Sequence, residues 1–96
     1  MRASNRKRHR KDANHDPIQA RLEELGWYCQ DTSQTNLGYD IIAARDGRLE
    51  LVEIKDGDLP PSRQDLTQHE ARVMWEFAQV GVTVRVLRSV ADAEGL

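Results

Sequence analysis

The amino-acid sequence predicts a mixed α/β domain with the order helix, three strands, helix, strand. Three observations carry that expectation. Apolar residues recur at helical spacing in two separate stretches, at Ile18, Leu22 and Leu25 and again at Val73, Met74 and Phe77. Two strand-like segments, YDIIAAR over 39–45 and RLELVEIK over 48–55, are joined by Asp46 and Gly47, a pair suited to the positive backbone angles of a tight hairpin turn. A β-branched run, VTVRVL, follows the second helical stretch. A hairpin meander followed by a helical crossover into a further strand favours a mixed sheet with helices packed on it.

Each element has its own signals. Asp16 and Pro17 read as an N-cap and a first-turn proline, and Gly26 as a stop, so a helix is expected over 17–25. Trp27, Tyr28 and Cys29 favour a short strand to about Thr32, and the polar stretch 31–38 is a loop. In the strand 48–55, alternation puts Leu51, Glu53 and Lys55 on one face and Val52 and Ile54 on the other. DGDLPPSRQD is loop by its Gly, Pro and Asp content. Thr67 and Glu70 have capping-box spacing and open a helix that reaches about Gln79, with Gly81 as its stop. Glu70 shares a face of that helix with Val73, Met74 and Phe77. Val82, Val84 and Val86 belong to the last strand, and residues 90–96 are expected as a frayed turn. Trp27, Tyr28, Trp75 and Phe77 are expected in the core.

At 96 residues the chain can bury one hydrophobic core but not two, which excludes a multidomain enzyme. Its mean hydropathy of −0.72 and the absence of a long apolar run exclude a membrane span. The basic N-terminus has no apolar stretch behind it, so no secretory signal is expected and the cytoplasm is the expected location. Cys29 is the single cysteine, so neither an internal disulfide nor a paired-cysteine zinc site can form.

The net charge of −2 conceals an asymmetry. Residues 1–11 carry six basic side chains and no acid, which leaves eight basic against sixteen acidic groups in the rest. Residues 1–14 therefore read as a basic arm, disordered and solvated, able to bind the phosphate backbone by charge neutralisation, and residues 15–96 as the folded domain. An acidic body that handles nucleic acid needs a local basic surface or a cation between itself and the phosphates.

Asp40 opens one hairpin strand and Glu53-Ile54-Lys55 closes the other, so the hairpin itself brings Asp40 towards Glu53 and Lys55. Hard carboxylate oxygens suit Mg²⁺, which takes one or two protein carboxylates and keeps sites for water and phosphate. A nearby lysine orients a nucleophile or stabilises developing negative charge. The cluster fits metal-assisted phosphodiester hydrolysis. The plainer alternative is a solvated strand face at Glu53 and Lys55 with Asp40 as a strand-entry residue. Glu70 faces the same region, or serves only as the capping partner of Thr67, since one side chain is expected to serve a single role well. His69 reads as an exposed helix-start residue, and Arg63 and Gln64 as loop polarity.

The pattern GYD, twelve residues, EIK, then a loop and a helix opened by LTQHE resembles the PD-(D/E)XK nuclease superfamily, particularly its small VRR-NUC and Holliday-junction-resolvase-like phage members. The resemblance covers roughly residues 12–90. It implies a restriction-endonuclease-like core, metal binding by Asp40, Glu53 and the Ile54 carbonyl, water activation by Lys55, and a site-facing role for Glu70, all catalytic positions of a Mg²⁺-dependent endonuclease in which Mn²⁺ can substitute. Two departures stand out: Tyr39 occupies the usual proline position, and the nearest first-helix acids are Asp16, Glu23 and Glu24. The expected partner is DNA, branched or nicked, and a homodimer is expected where two strands are cut symmetrically. The alternative is a non-catalytic nucleic-acid-binding module on the same fold.

Overall fold

The computed structural model describes residues 11–96. The first ten residues of the basic arm lie outside the described residues. Helix α1 spans His15–Glu24, strands β1, β2 and β3 span Tyr28–Asp31, Ile41–Arg45 and Arg48–Ile54, helix α2 spans Gln68–Gln79 and strand β4 spans Arg85–Leu87. They form a four-stranded sheet in the order β1-β2-β3-β4. The first three strands are an antiparallel meander, and β4 returns through α2 to pair with β3 in parallel. Two helices on a mixed sheet are the architecture expected.

The hairpin forms because Asp46 and Gly47 both take positive φ, 51° and 79°, so Arg45 faces Arg48 across a two-residue turn and the register of the meander is fixed. On one side of the sheet, Ile41, Ala43, Val52, Ile54 and Leu87 meet Ile18 and Leu22 of α1 and Trp27 in the core. Completely burying an aliphatic side chain contributes about 1.5–3 kcal/mol, so α1 is held by tertiary packing more than by its own propensity. The guanidinium of Arg45 lies 4.6 Å from the Trp27 ring centroid, and that of Arg48 lies 5.2 Å away, covering its outer face.

Helix α2 serves the other side. Its capping box is complete, with Thr67 Oγ1 accepting the Glu70 N–H and the Glu70 carboxylate accepting the Thr67 N–H. Val73, Met74 and Phe77 are half-buried, and Phe77 meets the Tyr39 ring edge-on at 6.1 Å between centroids.

Several expectations need correction. Trp75 is 63% exposed and Tyr28 65% exposed. Trp75 sits two residues from Phe77, about 200° around the helix, and so faces away from the sheet. Tyr28 aligns with Ala44 and Leu49 across the sheet, and Leu49 is itself 64% exposed at the hairpin end. Asp16 lies inside α1; the N-cap position belongs to Asn14, whose side chain makes no cap bond: its Nδ2 donates to the carbonyls of Lys55 and Arg88, and its Oδ1 has no partner among the described residues. The last strand begins only at Arg85, because the Val82 N–H is spent on Phe77 O and the Gly81 N–H on Ala78 O in closing α2. Residues 91–95 form a 3₁₀ turn that seats Ala93 and Leu96 in the core and is not frayed.

Gly38 fixes how the loop before β2 meets α2. It adopts φ 98°, and a Cβ there would lie 2.7 Å from a Val73 methyl. Gly47 also has positive φ but nothing within 4 Å of a Cβ. Gly38→Ala should therefore destabilise the domain by about 2–4 kcal/mol, combining backbone strain with overpacking, and Gly47→Ala by only about 1–2 kcal/mol. Urea denaturation of the two variants checks the order.

Candidate carboxylate–lysine site

Three local arrangements build the site. The meander ends with the Asp40 N–H donating to Val52 O at 2.8 Å, and the Ile54 N–H donating back to Asp40 Oδ2 at 2.8 Å. Asp40 is thus pinned against the end of β3. Lys55 continues past β3 with its N–H on Leu87 O, and the Asn14 amide holds its carbonyl, so sheet and α1 together fix its backbone. The capping box then swings Glu70 in from α2.

The side chains converge. Lys55 Nζ lies 2.9 Å from Glu70 Oε1 and 3.4 Å from Glu53 Oε2. Glu53, Asp40, Lys55, Glu70 and Ile54 line one cavity of about 440 Å³. Glu53 is 2% exposed, which removes the solvated-strand-face reading: alternation does put it opposite Val52 and Ile54, but α2 and the preceding loop cover that face too. Glu70 carries both roles thought to compete, since its Oε1 accepts the Thr67 N–H and the Lys55 ammonium at 2.9 Å each.

The electrostatics are strained in one direction. Burial, reinforced by the neighbouring Asp40 and Glu70 carboxylates, pushes the Glu53 carboxyl up to about 9. The Lys55 ammonium 3.4 Å away opposes that shift without cancelling it, because Glu70 holds the lysine more closely. Burial also raises Asp40, partly offset by the Ile54 N–H. Burial disfavours charge on Glu70 and Lys55 as well, yet their mutual bond holds Glu70 below and Lys55 above their ordinary values. Glu53 Oε1 is buried with no hydrogen-bond partner among the described residues. A buried acceptor with no partner costs about 1–3 kcal/mol.

Sequence reasoning missed Asp12. Its carboxyl lines the same cavity and is raised by burial. The only signal was an acid directly after the basic run, where it entered a charge sum and nothing else. Asp16, Glu23 and Glu24 do not line the cavity. His69 does, with Nε2 donating to the Asn36 carbonyl at 2.9 Å. Arg63 does not line it; Gln64 lies on the far side of the Lys55 segment, where its Oε1 accepts from Arg88. Lys11, at the start of the described chain, pairs with Asp31 at 2.8 Å and Asp16 at 3.2 Å, and together with Ser33 it holds the Asp31 carboxyl well below the usual range despite burial.

Among the described residues no group of three or more His, Cys, Asp or Glu is arranged as a cage for a metal ion. Mg²⁺ seldom uses such a cage, taking one or two carboxylates and keeping its waters. Asp40 and Glu53 are two carboxylates lining one cavity, the number such an ion usually takes from a protein. Among the described residues no helix is long and apolar enough to cross a membrane.

Fold and site together define a small mixed α/β domain with a buried carboxylate–lysine cluster at one end of its sheet. The chain belongs to the family described as Protein NO VEIN, C-terminal, which matches residues 12–90. Neither a curated protein nor a solved structure matches the sequence significantly. The family match overturns the resemblance to the PD-(D/E)XK superfamily and its VRR-NUC and resolvase-like members, over the same residues. Two carboxylates and a lysine at the end of a hairpin are too short a pattern to separate families, and the phage expectation rested on that resemblance alone.

The raised Glu53 carboxyl makes a stability prediction for the metal-free protein. The folded state keeps its proton up to about pH 9, whereas the unfolded chain releases it near ~4.3. Its contribution is therefore complete below the unfolded value and is lost as pH rises through 9. Glu53→Gln, neutral at every pH, should remove that part of the decline and be more stable than the parent at pH 8 by about 1–3 kcal/mol. Denaturant titrations across the pH range measure it.

Proposed function

We propose that the domain is a divalent-metal-dependent phosphodiesterase acting on DNA. The observation that carries this reading is the buried Glu53 carboxylate with an unpartnered oxygen, set beside Asp40 in a cavity that also holds a lysine. Proton retention and the Lys55 and Glu70 side chains offset only part of the cost of burying that acid, and a cation would offset more.

Asp40 and Glu53 would hold the ion, with the Ile54 carbonyl as a further contact. When bound, Mg²⁺ or Mn²⁺ supplies charge neutralisation for the phosphate and lowers the pKa of water. Lys55, fixed at its backbone by Leu87 and Asn14, orients the attacking water and bears against the negative charge that develops on the phosphate. Glu70 is a positioning residue that aims the Lys55 ammonium. The basic residues Arg2, Arg6, Lys7, Arg8 and Arg10 supply positive charge for neutralising backbone phosphates. A homodimer, which would present two such sites to two strands, and a cytoplasmic location belong to the same proposal. So does the finer comparison of the meander and its carboxylates to a restriction-endonuclease-like core.

The test is cleavage of a panel of linear, nicked and branched DNAs with and without Mg²⁺ or Mn²⁺. Lys55→Ala should lower cleavage by about 100-fold or more while retaining DNA binding, the range expected for loss of a positioned proton-handling or charge-stabilising group. Asp40→Asn should weaken Mn²⁺ binding in calorimetry. Parental cleavage by Lys55→Ala sinks the assignment, and metal-independent DNA binding without cleavage by the parent protein supports a binding module in its place.

A further inference from the structure

We propose that the part of the cavity lined by the loop before β2 and the start of α2 is a nucleoside subsite, with Leu37 and the His69 ring in its lining. The inference rests on the phosphodiesterase reading and names the part of the substrate that lies next to the phosphate.

The cavity is larger than its acidic wall requires. An ion with its waters and a phosphate occupies only part of 440 Å³, given that each water takes ~30 Å³ of liquid volume. The remaining lining comes from the loop before β2, with Leu37 and Tyr39, and from the start of α2, with Thr67 and His69, and it contains no carboxylate. Leu37 is 45% exposed there and takes no part in the hydrophobic core. The bond from Nε2 to the Asn36 carbonyl requires a proton on Nε2 and fixes the ring.

This wall is preformed. Gly38 brings the loop backbone so close to Val73 that no side chain fits between them. Within the loop, Thr32 Oγ1 donates to Tyr39 O, and Thr35 Oγ1 donates to Thr32 O. An oriented aromatic ring beside an aliphatic side chain offers stacking and apolar contact to any base, because every base has a π-face. Such a subsite binds nucleotides in preference to bare phosphate and discriminates weakly between sequences.

Two titrations of the full chain test the proposal. Without metal, millimolar nucleosides should shift the NMR signals of the Leu37 methyls and the His69 ring, whereas ribose and inorganic phosphate should not. With Mn²⁺, calorimetry should show a nucleoside 5′-monophosphate binding roughly five-fold or more tighter than inorganic phosphate, the lower end of what base stacking contributes. Leu37→Ala combined with His69→Ala should erase that preference while retaining affinity for inorganic phosphate, and His69→Phe should keep it. Equal affinities in the parent protein, with no nucleoside-induced shift, overturn the subsite. Nucleoside shifts in a protein that binds no Mn²⁺ support the subsite and instead remove the metal chemistry proposed beside it.

Discussion

A carboxylate buried at the end of β3 is the constraint around which the rest of the molecule is arranged. Glu53 is enclosed because α1 covers one face of the sheet, while on the other Lys55 and Glu70 of α2 close over the strand end where it sits. Nothing in the hydrophobic core asks for a glutamate there, and Leu51 two residues earlier shows what the same face accepts when packing alone decides. The cost of keeping an acid in that position is met in part by Lys55, in part by retention of a proton, and one oxygen goes without a partner.

The backbone around Glu53 is held more firmly than packing alone would achieve. Asp40 accepts the Ile54 N–H, Asn14 clasps the carbonyls of Lys55 and Arg88, and the parallel pairing with β4 fixes the Lys55 N–H. Three separate elements thus converge on two residues of one strand end. Rigid placement of a few polar groups is what an electrostatic site needs, since groups that must reorganise during reaction lose most of their advantage. The same economy appears at Glu70, where one oxygen closes a helix and restrains a lysine.

The hairpin and the capping box were legible in the sequence because each rests on local chemistry: Asp46 and Gly47 tolerate positive φ, and Thr67 and Glu70 have reciprocal donors and acceptors. From the hairpin alone, the neighbourhood of Asp40, Glu53 and Lys55 followed. What could not be read is long-range. Asn14 bonds residues 41 and 74 positions away, Asp12 meets its cavity neighbours only through the fold, and the Val82 N–H is taken by a helix end, shortening a strand that composition alone extends. Trp75 and Tyr28 were misplaced because aromatic content suggests burial while position on the helix or sheet decides it. The family resemblance failed for the opposite reason: the local pattern was real, but it was too short to identify its owner.

The central claim is that Glu53 holds a proton in the free protein and yields it to a divalent ion. Calorimetric titration of the full chain with Mn²⁺ near neutral pH, repeated in buffers of different ionisation enthalpy, counts protons released on binding. With the Glu53 carboxyl at about 9, binding should release close to one proton, and Glu53→Gln should abolish that release. Tight Mn²⁺ binding with no proton released, or an unchanged release in Glu53→Gln, would contradict the account.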